Sequence, residues 1–166
     1  MTPEEVVDEG RFRLAMGRFA SGVTVVSTRA GEHDHAMTAN AVSSVSVDPL
    51  LVLVCVEREA RFHDAVVDSG VFGVSILAAD QRATARWLAT RGRPLHGQLD
   101  RVPHISGPLT GSPLLIGSLA TMECRTTDIH LAGDHSIVVG EVVSVVLSDA
   151  TSPALTWYRS SYGSLD

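Results

Sequence analysis

The stretch that most constrains this chain is residues 114–149, where two long strand patterns, LLIGSLATMECRTTDIHL and HSIVVGEVVSVVLSD, are joined by only Ala132-Gly133-Asp134-His135. Apolar and β-branched residues recur through both runs, and Gly-Asp is a turn pair, so the stretch reads as one long antiparallel hairpin. In a chain of 166 residues, strands of that length need partners along their whole extent, because an unpaired edge leaves a row of backbone donors and acceptors exposed. The regular strand–helix alternation that builds a parallel sheet is missing. A closed or nearly closed antiparallel barrel with peripheral helices satisfies the edges better than a doubly wound sheet.

The rest of the chain supplies the other strands. GVTVVST (22–28) and AMTANAVSSVSV (36–47) read as a hairpin around the polar turn RAGEHDH, and Asp48-Pro49 ends it. LLVLVCV (50–56) is a continuous apolar run of the kind expected for a strand buried on both faces, and VFGVSIL (71–77) is the next strand. ALTWYRSSYG (154–163) reads as a last short strand or tail, giving six or seven strands. Three helices are expected. The first starts at the capping box Thr2-Pro3-Glu4-Glu5, presents Phe12, Ala15, Met16 and Phe19 on one face, and ends before Gly22. The second is ARFHDAVVDSG, with Phe62, Ala65 and Val66 on one side; the third is DQRATARWLATRG, started by Asp80 and stopped by Gly92. RPLHGQLDRVPHISGPLTGSP follows as a long Gly- and Pro-rich loop, a type of segment that often lies over a site. Length and apolar content fit a single domain over residues 1–166.

Composition matters most through what it lacks. All 13 residues counted as Lys or Arg are arginine, so no lysine Schiff base, pyridoxal-phosphate aldimine or P-loop lysine can be built. The formal net charge of -6, with arginines dispersed along the chain, argues against a nucleic-acid surface. The acidic start MTPEEVVDEG is unlike a targeting peptide, and the longest apolar run, 50–56, is too short to cross a bilayer. A soluble cytoplasmic protein with no membrane partner is the expectation. Cys55 and Cys124 sit in separate apolar stretches without CxxC spacing and read as free thiols. No G-x-S-x-G elbow, P-loop or G-x-G-x-x-G fingerprint occurs. His33-Asp34-His35 is not expected to bind metal, because strand alternation sends Asp34 to the face opposite both histidines.

Three segments are candidates for chemistry. Met37 to Ser46 packs small and hydroxyl-bearing residues into a core strand and its turn, where each unpaired buried polar group would cost about 1–3 kcal/mol. Those groups either bond neighbouring backbone or allow a planar or phosphorylated ligand close to it. Glu57-Arg58-Glu59-Ala60-Arg61 is either a solvated charge run or a phosphate clamp, with an arginine fork beside the free N–H groups of the next helix. His135 lies in the turn of the long hairpin.

Taken together, FASGVTVVST, MTANAVSSVSVDPLLVLVCV, VFGVSIL and AGDHSIVVGEV occur in an order and spacing similar to the flavin reductase family, from about Phe12 to the C-terminus. The resemblance implies an FMN-binding split barrel, mainly β and Greek-key-like. It further implies an NAD(P)H:flavin oxidoreductase that uses NADH or NADPH to reduce FMN or FAD and supplies reduced flavin to a separate monooxygenase. Carried onto this chain, it puts Met37, Thr38, Ala39 and Asn40 against the isoalloxazine and ribityl chain, and Ser44, Val45 and Ser46 along the ribityl-phosphate. Cys55 and Val56 would lie on the adjacent strand, Arg61 near the phosphate, and His135 and Tyr162 at the nicotinamide side. Where many relatives have an aromatic residue followed by glycine, this chain reads Pro94-Leu95-His96-Gly97. Hydride transfer between two cofactors asks the protein for geometry, not for a nucleophile or metal, so His135 fits positioning better than acid catalysis. A half-built cofactor cleft implies a homodimer. Two other readings are a flavin-binding or storage module without turnover and a pyridoxamine-phosphate-type oxidase, the latter disfavoured by the acidic, lysine-free composition.

Overall fold

The computed structural model describes residues 7–149 and 151–166. The chain is mainly β. Helix α1 (Glu9–Met16) precedes β1 (Ser21–Gly22), β2 (Thr24–Ala30), β3 (His33–Ala39), β4 (Val42–Val47) and β5 (Leu50–Glu57). Then come α2 (Arg61–Ser69), β6 (Val71–Ile76), a 3₁₀ turn (Ala79–Gln81) and α3 (Arg82–Ala89). The remaining strands are β7 (His104–Ser106), β8 (Pro113–Leu115), β9 (Ala120–Ala132), β10 (His135–Leu147), β11 (Ala154–Tyr158) and β12 (Ser161–Leu165).

Seven strands form one sheet in the order β3-β2-β6-β9-β10-β5-β4, every neighbouring pair antiparallel. The long hairpin is its centre: β9 and β10 pair from Ala120↔Leu147 to Ala132↔His135. The two edge strands, β3 and β4, are consecutive in the chain and separated by Asn40 and Ala41 alone. Such a tether reaches only about 7–10 Å, so the sheet must curl until its edges nearly meet, which is the nearly closed antiparallel barrel expected from the hairpin argument. The Cys55 N–H, donating to the Ala41 carbonyl at 3.0 Å, extends the β4–β5 pairing onto this tether.

Val26, Val54, Val56, Phe72, Val74 and Val138 fill the barrel, and Phe62 and Val66 of α2 plug one end. Gly140 is required there, since a Cβ would strike the Phe72 ring. A second core, with Val25, Ala36, Leu88, Leu99, Leu115 and Leu155, lies between the sheet, α3 and the segment after it.

Several expectations need correction. AMTANAVSSVSV is not one strand: it breaks at Asn40, so that Ala39 pairs with Thr24 while Val42 pairs with Val54 at the far edge. The preceding turn is short, because β2 and β3 run nearly to Gly31. LLVLVCV alternates instead of being buried on both faces, with Val52, Val54 and Val56 buried and Leu51, Leu53 and Cys55 half-buried. The supposed loop after α3 contains the two-stranded sheet β7–β8, and the tail is a hairpin, β11–β12, joined to β1. The third helix starts as a 3₁₀ turn and ends at Ala89, ahead of Gly92. α1 is capped by the Asp8 carboxylate, which accepts from the Arg11 N–H at 2.7 Å, and it buries nothing: Phe12 is 61% and Phe19 73% exposed. The Thr2–Glu5 capping box lies outside the described residues.

Candidate functional site

A cavity of about 420 Å³ opens where α2 begins, beside β3 and the end of α3. Its walls are formed by residues 35–38, 57, 59–62 and 88–93, with Gln98. Ala60 occupies the N-cap position of α2 and provides no side-chain cap, so the first N–H groups of the helix are open to an outside anion. Arg61 stands beside them and donates from Nη2 to the Arg93 carbonyl.

Arg93 builds the opposite wall. Its guanidinium donates to the carbonyls of Leu88 and Thr90, each at 2.6 Å, which closes the C-terminal end of α3, and to Ala36 of β3 at 2.9 Å. Thr38 Oγ1 ties the same strand to α3 by donating to the Ala85 carbonyl at 2.6 Å. Arg91 reaches across to both carboxylate oxygens of Glu57, at 3.1 and 3.2 Å. His35 lines the cavity with its Nδ1 buried and unpartnered, and burial, then His33 and Arg61, push its pKa down.

His135 lies just beyond this rim. It is paired in the ladder with Glu57, and its Nδ1 is 2.7 Å from Asp134 Oδ1. The hydrogen bond from His135 holds the exposed Asp134 carboxyl below its ordinary range. On the inward face of the same strand, the buried Ser136 hydroxyl meets His63 Nε2 at 2.9 Å, which ties α2 to β10.

Of the residues expected from sequence, Met37, Thr38 and Arg61 are brought together on the cavity. Asn40, Ser44 and Val45 are exposed along the tether and β4, and Cys55 is half-buried on the outward face of β5. Ser46 accepts from the Asp48 N–H at 3.2 Å. Ala39 and Val56 point into the barrel core, so their backbone alone can meet a ligand. Tyr162 lies elsewhere, edge-on to Trp157 at 4.8 Å and below Arg82 and Arg86, at the start of α3 where the cavity is at its end. Sequence reasoning misses His35, Arg91 and Arg93. Their one signal is the Arg-Gly-Arg at 91–93, which only the fold carries back to Ala36.

The arrangement offers an anion seat and a cation-lined hollow and, among the described residues, no nucleophile aligned with a base at the cavity. No helix among the described residues is long and apolar enough to cross a membrane.

Comparison with known proteins gives the same reading. A 40% identical protein of Streptomyces globisporus, "NADH-dependent FAD reductase", aligns over 86% of this chain and 80% of its own length. Another, "NADH:riboflavin 5'-phosphate oxidoreductase" of Streptomyces pristinaespiralis, is 40% identical over 91% of this chain and 85% of its own. The crystal structure of BorF, the flavin reductase component of a bacterial two-component tryptophan halogenase, superposes with a TM-score of 0.90 at 43% identity, covering 95% of this chain and 98% of that one. The family model described as "Flavin reductase like domain" matches residues 16–166, which takes in the barrel, the tether and the cavity, and the chain therefore belongs to the flavin reductase family.

Proposed function

We propose that this protein, as one domain over 1–166, is an NAD(P)H:flavin oxidoreductase that reduces FMN or FAD and passes the reduced flavin to a separate flavin-dependent monooxygenase. The observation that carries the reading is the uncapped start of α2 next to Arg61, opening on a cavity that also includes Met37 and Thr38, in a chain of this family. Both named relatives use NADH, which favours that donor, and the likeness to BorF supports a separate component as acceptor.

The residues fit a flavin. Its phosphate has the helix amides and an arginine, the only kind of long cationic side chain this sequence owns. The bound flavin supplies the hydride acceptor, and the nicotinamide the donor. What the chain contributes is placement: Arg61 and the start of α2 anchor the phosphate, Met37 to Asn40 lie against the ring and ribityl chain with Cys55 on the adjacent strand, Ser44 to Ser46 follow the ribityl-phosphate, and His135, oriented by Asp134, positions the nicotinamide. His135→Ala is expected to raise KM for the nicotinamide several-fold more than KM for flavin; an unchanged nicotinamide KM would remove that role. Exposed apolar residues on α1, such as Phe12 and Leu14, and at the ends of the long hairpin, Leu131 and Leu147, support a homodimer. The protein is assigned to the cytoplasm.

The decisive experiment is a rate matrix of NADH and NADPH against FMN and FAD, followed at the nicotinamide absorbance band. Flavin-dependent oxidation with at least one donor is expected. A yellow protein that leaves both donors untouched would mean a storage module, and no flavin response at all would overturn the assignment.

A further inference from the structure

The two groups assigned to anchor the flavin and the nicotinamide stand on different elements: Arg61 opens α2, whereas His135 opens β10. Hydride transfer needs the reacting atoms about 3–3.5 Å apart, so whatever joins those two elements decides whether two bound rings can react. The end of β5 is held to the hairpin by the Glu57↔His135 pair and by the Arg58 N–H, which donates to the Asp134 carbonyl at 2.9 Å. Neither reaches the helix. The bond that starts on α2 itself is the one between His63 Nε2 and Ser136 Oγ, at 2.9 Å.

His63 is the third residue of α2, and its N–H donates to the Ala60 carbonyl at 2.9 Å, so its side chain moves with the helix start. Only 15% of that side chain is exposed; its Nδ1 lies 3.4 Å from Oδ1 of the surface residue Asp64. Ser136 is fully buried, and strand alternation turns it inward while the neighbouring His135 stays 43% exposed. A shift at Ser136 therefore carries His135 with it. Because the hydroxyl is buried, losing its partner would cost the full desolvation of the group, which makes this tie stronger than a solvated one. His63 is outside the cavity walls, so its effect on bound ligands has to pass through other residues.

We propose that His63 is a positioning residue for hydride transfer: through Ser136 it sets His135 at a fixed separation from the helix start, and so brings two independently bound rings together. The proposal rests on the flavin reductase reading. It differs from a merely structural role in one respect, that its loss spares the affinities and spoils the geometry.

The principal variant is the double substitution His63→Leu with Ser136→Ala, which removes the tie without leaving either buried polar group unpaired; His63→Gln, whose amide can still reach the hydroxyl, is the conservative one. FMN binding is measured by fluorescence quenching and NAD+ binding by calorimetry. Ring stacking is read, without turnover, from the long-wavelength charge-transfer absorbance of photoreduced FMN with NAD+ under anaerobic conditions, and hydride transfer from stopped-flow loss of flavin absorbance with both ligands saturating. In the double variant both Kd values should stay within about two-fold of wild type, while the charge-transfer band is lost and transfer slows about ten-fold or more. His63→Gln should recover most of the band and the rate. Unchanged band and rate in the double variant would overturn the proposal, and so would parallel losses of both affinities that His63→Gln does not relieve. A wild-type protein that binds FMN and NAD+ yet oxidises neither NADH nor NADPH would break the reductase reading; the band would then decide the role of His63 alone, its persistence in the double variant overturning that role and its loss supporting it.

Discussion

The seven-stranded sheet has two edges, and they are treated in opposite ways. At β3 the outward backbone of Ala36 is met by side chains from beyond α3, the Gln98 carboxamide accepting from its N–H at 3.5 Å and Arg93 donating to its carbonyl, while Thr38 is tied to α3 itself. At β4 no such cover exists among the described residues: Ser43, Ser44 and Val45 are exposed, and Val47 is 87% exposed. The covered edge carries the cavity and its cations; the bare edge carries small side chains with open backbone. An enclosing wall is what turns a strand edge into a binding site, whereas a bare edge is where another surface, flavin or a second copy, has room to lie.

Four experiments break or sharpen this contrast. Phe72→Ala removes the ring that touches the interior shared by both edges, and should cost about 3–5 kcal/mol in urea unfolding. Hydrogen exchange should then quicken at β3 and β4 together; a change at one edge alone would mean that the edges do not share a core. Arg61→Ala acts on the covered edge only. A charged hydrogen bond is worth about 1.5–3 kcal/mol, so FMN affinity should fall roughly ten- to hundred-fold while riboflavin, which has no phosphate, is little changed. Equal losses for both ligands would move the phosphate elsewhere.

The third experiment uses pH. Burial, then His33 and Arg61, lower the pKa of His35 in the fold, with His96 adding to the shift and Asp34 opposing it. Between the folded value and the usual 6.5 the unfolded chain therefore binds more protons, and stability falls as pH drops through that window. His35→Gln should flatten the decline in thermal stability as pH falls below about 6.5; an identical slope in both proteins would show that other groups dominate. The smallest effect belongs to the bare edge, where Val45→Thr should shift stability by no more than about 0.5 kcal/mol. A larger loss that depends on protein concentration would reveal a second chain on β4.

Much of the framework is legible in the amino-acid sequence. The long hairpin, the apolar side of α2 with Phe62, Ala65 and Val66, and the punctuation at Gly70 all stand as expected. The break in AMTANAVSSVSV is invisible there because Asn40-Ala41 carries neither Gly nor Pro, and alternation along a strand says nothing about which partner each half takes. β7 and β8 are hidden because three residues show no period. The exposure of α1 escapes because periodicity identifies an apolar face without naming what covers it. For the site, contiguous motifs locate Met37, Thr38 and Arg61. Arg93 is out of reach, since its link to Ala36 spans 57 residues that only the fold brings together.

The two-residue tether between β3 and β4 also bears on how fast the protein assembles. It makes the joint between the edges local, but the ladders that hold the barrel are remote: Leu51 pairs with Glu141, and Val71 with Arg125. Loop closure over such distances must be completed before any of those pairings contributes, which places chains of this topology in the millisecond-to-second range of folding times. The short clasp at Asn40 cannot shorten that search. Its effect falls on the unfolded chain instead, because a two-residue link keeps β3 and β4 neighbours even there, while every remote ladder has to be found anew.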